Sequence, residues 1–502
     1  MLLIALVFMV INIVSVLLIF NTDFFFTLDR QILSTQFDLI AIGVSIGAFF
    51  ITLKFIDRLS VTHLFIIFIV TRIAVMSYFT LFEFSVEMDF RTFSSMAQHV
   101  LDGDLFTPFA PKILANWWRV GPPMYMWWYT YNYLIYGLNP IIWRFVNILL
   151  EVGIVYVMIQ IFQEIKSPKK QLSEENFKIG LSFYIFSMIT VFTFILNAFI
   201  SALPVLLGLL GFLYYFKSKK ESGNIYVSIF FFSLCALCLY FAAIWILGLL
   251  LILLFRRQFK LVITLSFEVI GVFILVTLPL LLNDAIGYLQ RLIQSPLTYY
   301  NTNWNGSIFA SNLFDIIPST WLSNLDPLWA DLILGIGLYI PTIFAIILLV
   351  FYIYKNSNKE ISLDFFIVSL SIFLFFTPHF APWYFPWIFP LICINIIYSF
   401  RKFFIANLFF IGYFFVFMFL FALAYLLYPG TSSFPNWSKA WDDIRPFMES
   451  NGFLLLIKFI GHLLYQMGFI YLIYSYTNEK RWVYVLILGY IPFYAFSLLG
   501  FI

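Results

Sequence analysis

Acidic and basic side chains, with one histidine, are gathered in residues 83–123 of an otherwise apolar chain. They are Glu83, Glu87, Asp89, Arg91, His99, Asp102, Asp104, Lys112 and Arg119. Glu87 and Asp89 stand two positions apart, directly after an apolar run of membrane-crossing length. A carboxylate held there can act as a general base, because it can remove a proton from a hydroxyl whose oxygen attacks a substrate. An ordinary solvated acidic loop is the alternative interpretation.

Two arginines and a second histidine could bind a phosphate group. Arg119 lies in WWRVGPP, Arg144 in PIIWRFVN and His379 in TPHFAPWYFPWIFP. A guanidinium group matches phosphate oxygens with several donors, and a histidine can donate a hydrogen bond to a leaving phosphate. The alternative is that the arginines anchor positive charge at the membrane interface and that His379 is an ordinary interfacial residue.

Asp102, Gly103 and Asp104 form a D-x-D sequence, a pattern that holds metal-bound nucleotides in many soluble enzymes. That use requires a nucleotide-binding fold, and the chain contains neither a P-loop nor a G-x-G-x-x-G that leads a strand into a helix. A turn built on aspartate and glycine is the better interpretation. The sequence therefore predicts no dedicated metal site.

Composition places these residues in a membrane protein. Hydrophobic residues make up 63% of the 502 residues and charged residues 11%, which leaves too few polar groups to cover a soluble body of this size. The net charge of +3 is too small and scattered to indicate nucleic-acid binding. Because apolar runs of roughly 20 residues recur throughout, we expect a single all-α polytopic membrane domain over residues 1–502. It should contain about 15 transmembrane helices, in a range of about 13 to 15.

Basic segments set the predicted topology, since short cytoplasmic loops are enriched in lysine and arginine. They are residues 54–58, 166–170, 217–220, 256–260, 355–360, 401–402 and 478–481. Their assignment to the cytoplasm places two polar segments outside: the first loop, residues 83–140, and the second loop, residues 284–328. The predicted long helices cover residues 1–20, 39–56, 61–82, 140–163, 178–197, 199–216, 259–282, 329–354, 362–378, 383–400, 403–428, 452–475 and 482–501.

Two segments do not fit ordinary membrane crossings. Residues 123–137 are rich in Trp and Tyr and have external positions on both sides, which predicts a helix lying in the membrane interface. Residues 224–255 lie between two basic clusters, which predicts two short helices that span incompletely. Cys235 and Cys238 lie in the first of these at helical spacing, which indicates packing rather than redox chemistry or metal binding.

Three ionisable residues lie deep within predicted helices: Arg72, Glu151 and Glu268. A charge at membrane depth is costly unless it is paired or faces a polar cavity. We therefore predict that Arg72 pairs with Glu151.

The order of these motifs resembles that of the polyprenyl-phosphate-sugar-dependent glycosyltransferases of the C superfamily, above all the GPI mannosyltransferase catalytic subunits and their prokaryotic relatives. VEMDFRTFSSMAQHVLDGDLF resembles their acidic motif followed by a helix and a glycine. HFAPWYFPW resembles their late histidine-containing aromatic motif. The likeness covers residues 72–155 and 375–390.

The resemblance implies transfer of a hexosyl group, such as mannose, from a polyprenyl or dolichyl phosphate to a lipid or glycan hydroxyl, with inversion. Asp89 then matches the catalytic base, and Glu87 stands where the family has a second acidic residue. The donor phosphate would contact Arg119, Arg144 and His379. The substrates would contact Arg91, Trp118, Trp383 and Tyr384.

The implied enzyme requires no cofactor, although its carboxylates permit a divalent metal. The resemblance places it in a prokaryotic plasma membrane or a eukaryotic endoplasmic reticulum membrane, with its active site on the external or lumenal side. A transporter or flippase of lipid-linked sugars is the alternative, since ionisable residues near the bilayer midplane are typical of that class.

Overall fold

A computed structural model describes the chain over thirteen ranges or single positions. They are residues 47–81, 123–136, 140–165, 174–187, 190, 202–239, 242–302, 343–376, 382–396, 401–410, 412–413, 416 and 452–499. Every regular element within these ranges is helical, and they contain no β-strand. This agrees with the predicted all-α class.

The helices are numbered along the chain over the described residues. They are α1 (47–54), α2 (Val61–Leu81), α3 (Pro123–Tyr136), α4 (Pro140–Ile165), α5 (Glu174–Ile185), α6 (Ala202–Ser218), α7 (Asn224–Cys238), α8 (Ala243–Phe255), α9 (Phe259–Thr302), α10 (Ile343–Asn356), α11 (Leu363–Phe375), a 3₁₀ helix (Pro382–Trp387), α12 (Phe389–Ile394), α13 (401–410), α14 (Gly452–Thr477) and α15 (Lys480–Leu499).

Within these ranges, three helical segments are long and apolar enough to cross a membrane. They are Ile142–Ile165, Phe259–Pro279 and Gly452–Thr477. At about 1.5 Å per residue, each is long enough for a bilayer core of roughly 30 Å. Their length and composition support the predicted membrane association.

Several predicted boundaries agree closely with the structure. The helix predicted over 61–82 is α2, Val61–Leu81, and the helix predicted over 140–163 is α4, Pro140–Ile165. Residues 224–255 form two short helices, α7 and α8, of 15 and 13 residues. Each is only about 20 Å long, so the prediction of two short helices is confirmed.

The structure of residues 382–394 differs from the prediction. A continuous helix was expected over 383–400, but the structure has a 3₁₀ helix, Pro382–Trp387, and then a six-residue α12 that ends at Ile394. Pro382, Pro386 and Pro390 explain the difference, because proline lacks the amide hydrogen that a continuous α-helix uses. This stretch is therefore a discontinuous helix.

The second difference concerns the second loop. Helix α9 continues to Thr302 and is 44 residues long, so the first part of the segment 284–328 is helical. The rest of that segment lies outside the described residues.

The basic segments meet on one face of the bundle. Lys219 and Lys220 form ion pairs with Glu360 at 2.6 Å and Glu164 at 2.7 Å. Further contacts join Arg256 to the Ser357 carbonyl at 2.6 Å, Lys355 to Glu479 at 2.5 Å and Lys402 to Asn478 at 3.2 Å. We call this surface the basic face. These contacts bring together segments 217–220, 256–260, 355–360, 401–402 and 478–481.

Close packing between α6 and α7 forms part of the core. A Cβ atom at Gly211 would lie 2.5 Å from the Phe232 ring, so only glycine permits this approach. Cys235 and Cys238 are buried and their thiols are free, and the Cys235 thiol donates to the Pro204 carbonyl at 3.1 Å. The prediction that these cysteines serve packing is confirmed.

Candidate active site

The predicted site residues fall into three groups by position. Six lie outside the described residues: Glu87, Asp89, Arg91, Trp118, Arg119 and His379. For Trp383 and Tyr384 the structure describes the backbone, which belongs to the 3₁₀ helix Pro382–Trp387. Arg144 is described together with its side chain. The candidate site is therefore built from the helices that border the first loop.

A buried ion pair joins the helix before the first loop to the helix after it. Arg72 of α2 donates two hydrogen bonds to the carboxylate of Glu151 of α4, from Nε to Oε2 at 2.8 Å and from Nη2 to Oε1 at 2.7 Å. The side chains of Arg72 and Glu151 are 1% and 0% exposed. The predicted pair is confirmed, and its bidentate geometry is the strong form of an arginine–carboxylate contact.

The remaining donors of Arg72 reach the end of α5 and a threonine beyond it. Its Nη1 donates to the carbonyl of Ile185 at 2.7 Å, and its Nη2 donates to the hydroxyl of Thr190 at 3.1 Å. Ile185 is the last residue of α5, and a terminal carbonyl has no partner within its own helix. Arg72 therefore caps α5 while it pairs with Glu151. The network satisfies polar groups that would otherwise be costly inside the bundle.

The ion pair lies at a similar distance from both ends of the first loop. Arg72 is nine residues before Leu81, about 14 Å along α2, and Glu151 is eleven residues after Pro140, about 17 Å along α4. With α2 and α4 antiparallel, as the topology predicts, Leu81 and Pro140 lie at nearly the same level. The ion pair can therefore fix the distance between Leu81 and Pro140, the helix ends that border the first loop.

Arg144 continues this polar surface along α4. Arg144, Asn147 and Glu151 are spaced three and four residues apart, so they share one helix face. They are 2%, 6% and 0% exposed, and we call them the polar strip. A charge anchored at the interface would be exposed, so the burial of Arg144 argues against that alternative. Arg144 is the member nearest to the first loop, about 10 Å from Glu151 along the axis.

The helix that follows the late aromatic motif packs against α4. Helix α12, which follows that motif, contacts both α4 and α5. The rings of Phe389 and Tyr184 lie 5.9 Å apart in a stacked arrangement. A Cβ atom at Gly180 would lie 2.5 Å from the Cys393 carbonyl, so α5 and α12 approach closely. Helix α12 thus packs against α5 and against α4, the helix that carries the polar strip.

Three further buried polar residues were not predicted from the sequence. His462 and Gln466 of α14 are 1% and 2% exposed, and Asn407 of α13 is 1% exposed. The His462 ring lies edge-on to the Tyr465 ring at 5.0 Å. The sequence analysis assigns His462 no role, although Lys458 stands four residues before it. The signal was its spacing of four residues from Gln466, which puts both side chains on one face of an apolar helix.

No group of three or more His, Cys, Asp or Glu side chains in the described parts of the chain is arranged to hold a metal ion. The carboxylates of the first loop, which could bind one, lie outside those parts.

Comparison with known proteins returned no relative: no family model, curated protein or solved structure matches this chain. The resemblance based on short motifs therefore stays a prediction, and the function has to be argued from the residues.

Proposed function

We propose that this protein is a membrane glycosyltransferase that moves a hexosyl group from a polyprenyl or dolichyl phosphate to a hydroxyl of a lipid or glycan. The observation that carries the proposal is the buried Arg72–Glu151 pair, which joins the helices on either side of the acidic first loop. An enzyme that acts through a loop needs rigid elements to position it. The motif order of residues 72–155 and 375–390 supports the choice of reaction.

The proposed topology has about 15 membrane crossings, with the basic face in the cytoplasm. The first loop is then external or lumenal. Two observations support this orientation: the basic segments meet on one face, and the short helices α7 and α8 bring residues 217–220 and 256–260 to that same face. The membrane is the plasma membrane in a prokaryote or the endoplasmic reticulum membrane in a eukaryote.

In the proposed reaction, Asp89 is the general base. Its carboxylate accepts the proton of the acceptor hydroxyl, whose oxygen attacks the anomeric carbon. The new carbon–oxygen bond forms as the bond to the phosphate oxygen breaks, so the configuration inverts. Polyprenyl phosphate leaves as an anion that needs no proton, so one carboxylate suffices where glycoside hydrolysis uses two. Glu87 assists at the acidic motif.

Charge accumulates on the departing phosphate, and cationic groups should stabilise it. Arg119, Arg144 and His379 are proposed for this role. Arg144 receives the most support, because its guanidinium is held inside the bundle on the polar strip, at the end nearer the first loop. An arginine in such a low-dielectric site interacts more strongly with an anion than it would in water.

Four further residues complete the proposed site. Arg91, Trp118, Trp383 and Tyr384 contact the substrates, and the membrane helices hold the polyprenyl tail. No cofactor is required, although the carboxylates would accept a divalent metal.

The test is a transfer assay with the purified full chain. Detergent-solubilised protein and acceptor lipid are incubated with radiolabelled polyprenyl-phosphate mannose, and then with other polyprenyl-phosphate hexoses. The proposal expects a labelled glycolipid product with inverted anomeric configuration. Absence of transfer from every donor would exclude the proposed activity.

A second candidate function is transport or flipping of lipid-linked sugars. The observation that favours it is the discontinuous helix over residues 382–394, whose α12 segment packs against α4 and α5, the helices that carry Glu151 and the Ile185 carbonyl bound by Arg72. Discontinuous helices at membrane depth line the substrate sites of many transporters. A transporter would move the labelled lipid across the proteoliposome membrane without forming a new glycosidic bond. The same radiolabelled donor therefore distinguishes the two functions.

A further inference from the structure

Helix α9 is the least enclosed of the three membrane-length helices in the described part of the chain. In its membrane-crossing part, Phe259–Pro279, 17% of the most apolar stretch is buried, against 50% for Ile142–Ile165 and 41% for Gly452–Thr477. It packs mainly against α3, α7 and α8. Its open side carries exposed apolar side chains: Ile263, Phe267, Ile270, Ile274 and Leu275. Contact with lipid tails accounts for these apolar residues.

Contact with lipid does not account for Glu268. This residue lies nine positions after Phe259, about 14 Å along α9, and thus near the middle of a bilayer core of roughly 30 Å. Its Oε2 is buried, and no described residue donates a hydrogen bond to it. A carboxylate at this depth is costly, and its short side chain cannot extend to the interface as lysine and arginine can. Arg72 and Glu151 offset the same cost by pairing.

The chain itself offers no basic partner for Glu268 at this depth. Helices α3, α7 and α8 contain no Lys, Arg or His. Arg72 and Arg144 belong to the ion pair and to the polar strip, and Lys458 and His462 belong to α14. The apolar runs that lie wholly or partly outside the described residues also contain no Lys, Arg or His: 1–20, 39–53, 191–201, 329–354 and 403–428. A basic group for Glu268 therefore has to come from another polypeptide.

The surface around Glu268 has room for another helix. Thr264 lies four residues before Glu268 and Gly271 three residues after it, so the three share one side of α9, which we call the Glu268 face. Thr264 and Gly271 are exposed, and nothing lies within 4 Å of a Cβ atom at Gly271. Small residues let helix backbones approach closely in lipid, and polar side chains at such contacts form hydrogen bonds between the helices.

We propose that the Glu268 face docks a transmembrane helix of another polypeptide, whose lysine or arginine near the bilayer midplane pairs with Glu268. Charge complementarity identifies the partner, because a basic side chain offsets the cost of the carboxylate and the carboxylate offsets the cost of the basic side chain. An arginine can bind a carboxylate through two parallel hydrogen bonds, as Arg72 binds Glu151 within this chain. No step of the proposed glycosyl transfer uses Glu268, so the docking site is independent of it.

The test measures association of the full chain with a synthetic transmembrane helix in phosphatidylcholine vesicles, by Förster energy transfer. The probe is a host helix of about 20 leucine and alanine residues with one arginine at its centre, and the matched host has leucine there. The donor dye is attached to Ser222→Cys, an exposed position of the basic face, and the acceptor dye to the host helix. The arginine host should give saturable transfer that unlabelled arginine host displaces. The leucine host should give only background transfer.

Glu268→Gln should weaken association of the arginine host about tenfold, and Gly271→Leu should weaken it by filling the space that the partner helix needs. Glu221→Gln makes the same chemical change at an exposed carboxylate of the basic face, and it should associate like the native chain. Without any host helix, Glu268→Leu should not lower the thermal stability of the chain, because it removes a carboxylate that no described residue stabilises.

The proposal fails if the arginine and leucine hosts associate equally, the result expected if Glu268 offsets its cost by holding a proton. Undiminished association of the arginine host with Glu268→Gln would also overturn it. Energy transfer between two labelled copies of the chain that Glu268→Leu abolishes would identify a second copy as the occupant of the Glu268 face, and this result would contradict the proposal as well.

Discussion

At the scale of single residues, a few buried polar groups determine how this bundle is put together. Arg72 and Glu151 could be paired from the sequence, because few ionisable residues lie within apolar helices and an unpaired one is costly. Asn147, Gln466 and Asn407 could not be found in the same way, since neutral amides are common on helices and their burial depends on which helices pack together. The pairing of buried charges can therefore be predicted from the sequence, whereas the burial of neutral polar side chains cannot.

The Arg72–Glu151 pair should behave as an energetic unit. Arg72→Leu or Glu151→Leu alone leaves a buried charge without its partner, and each should lower the free energy of unfolding by about 3 to 5 kcal/mol. The double variant should lose clearly less than the sum of both. Thermal unfolding of the native protein, the two single variants and the double variant in one detergent measures the coupling energy. Additive losses of stability would mean that the two side chains do not interact as a pair. Val70→Leu, a change at an exposed apolar residue of α2, is the control and should change stability little.

At the scale of elements, helix lengths followed the sequence well where a long apolar run has no proline inside it, as in α2 and α4. They failed where hydropathy was the wrong guide. The segment 284–302 was expected to be a loop because it is polar, yet Ile286, Leu289 and Ile293 keep a spacing of three to four residues, which is typical of a helix. The segment 383–400 has the hydropathy of a crossing, but its prolines interrupt it.

The crossing of α5 and α12 should depend on glycine at position 180. In Gly180→Ala the new methyl group would lie 2.5 Å from the Cys393 carbonyl, and backbone cannot move aside easily. We expect a loss of about 1 to 3 kcal/mol in stability. Thermal unfolding of the native protein and of Gly180→Ala in detergent measures this loss of stability.

The matched control for this variant is Gly271→Ala on α9. Nothing lies within 4 Å of a Cβ atom at Gly271, so this change should leave stability unchanged or raise it by up to about 1 kcal/mol through helix propensity. Equal effects of the two substitutions would mean that α5 and α12 do not approach as closely as described.

At the scale of the whole molecule, the sequence predicted the class and the relative placement of the basic segments, because both depend on composition and charge. The predicted number of crossings goes beyond the three helices whose length and composition suffice for spanning in the described ranges. The catalytic roles proposed for Glu87 and Asp89 come from their position after an apolar run and from motif resemblance, and both residues lie outside the described part of the chain. Their arrangement depends on contacts that spacing along the chain does not encode.

The two faces of the molecule should be accessible from opposite sides of the membrane. Ser222 is exposed on the basic face and Ser95 belongs to the first loop, so Ser222→Cys and Ser95→Cys place one thiol on each predicted side. The three native cysteines are buried and should react little. In sealed right-side-out vesicles, an impermeant maleimide should label position 95 before permeabilisation and position 222 only after it. Labelling of both positions before permeabilisation would contradict the proposed topology.

The proposed role of Asp89 as the base of a glycosyl transfer is tested by the rate of sugar transfer by Asp89→Asn. Asp102→Asn is the matched control, because it makes the same chemical change in the same loop at a residue assigned to a turn. We predict that Asp89→Asn lowers the transfer rate at least about a hundredfold, the effect of losing a general base, while Asp102→Asn stays close to the native rate. Undiminished transfer by Asp89→Asn would contradict the account.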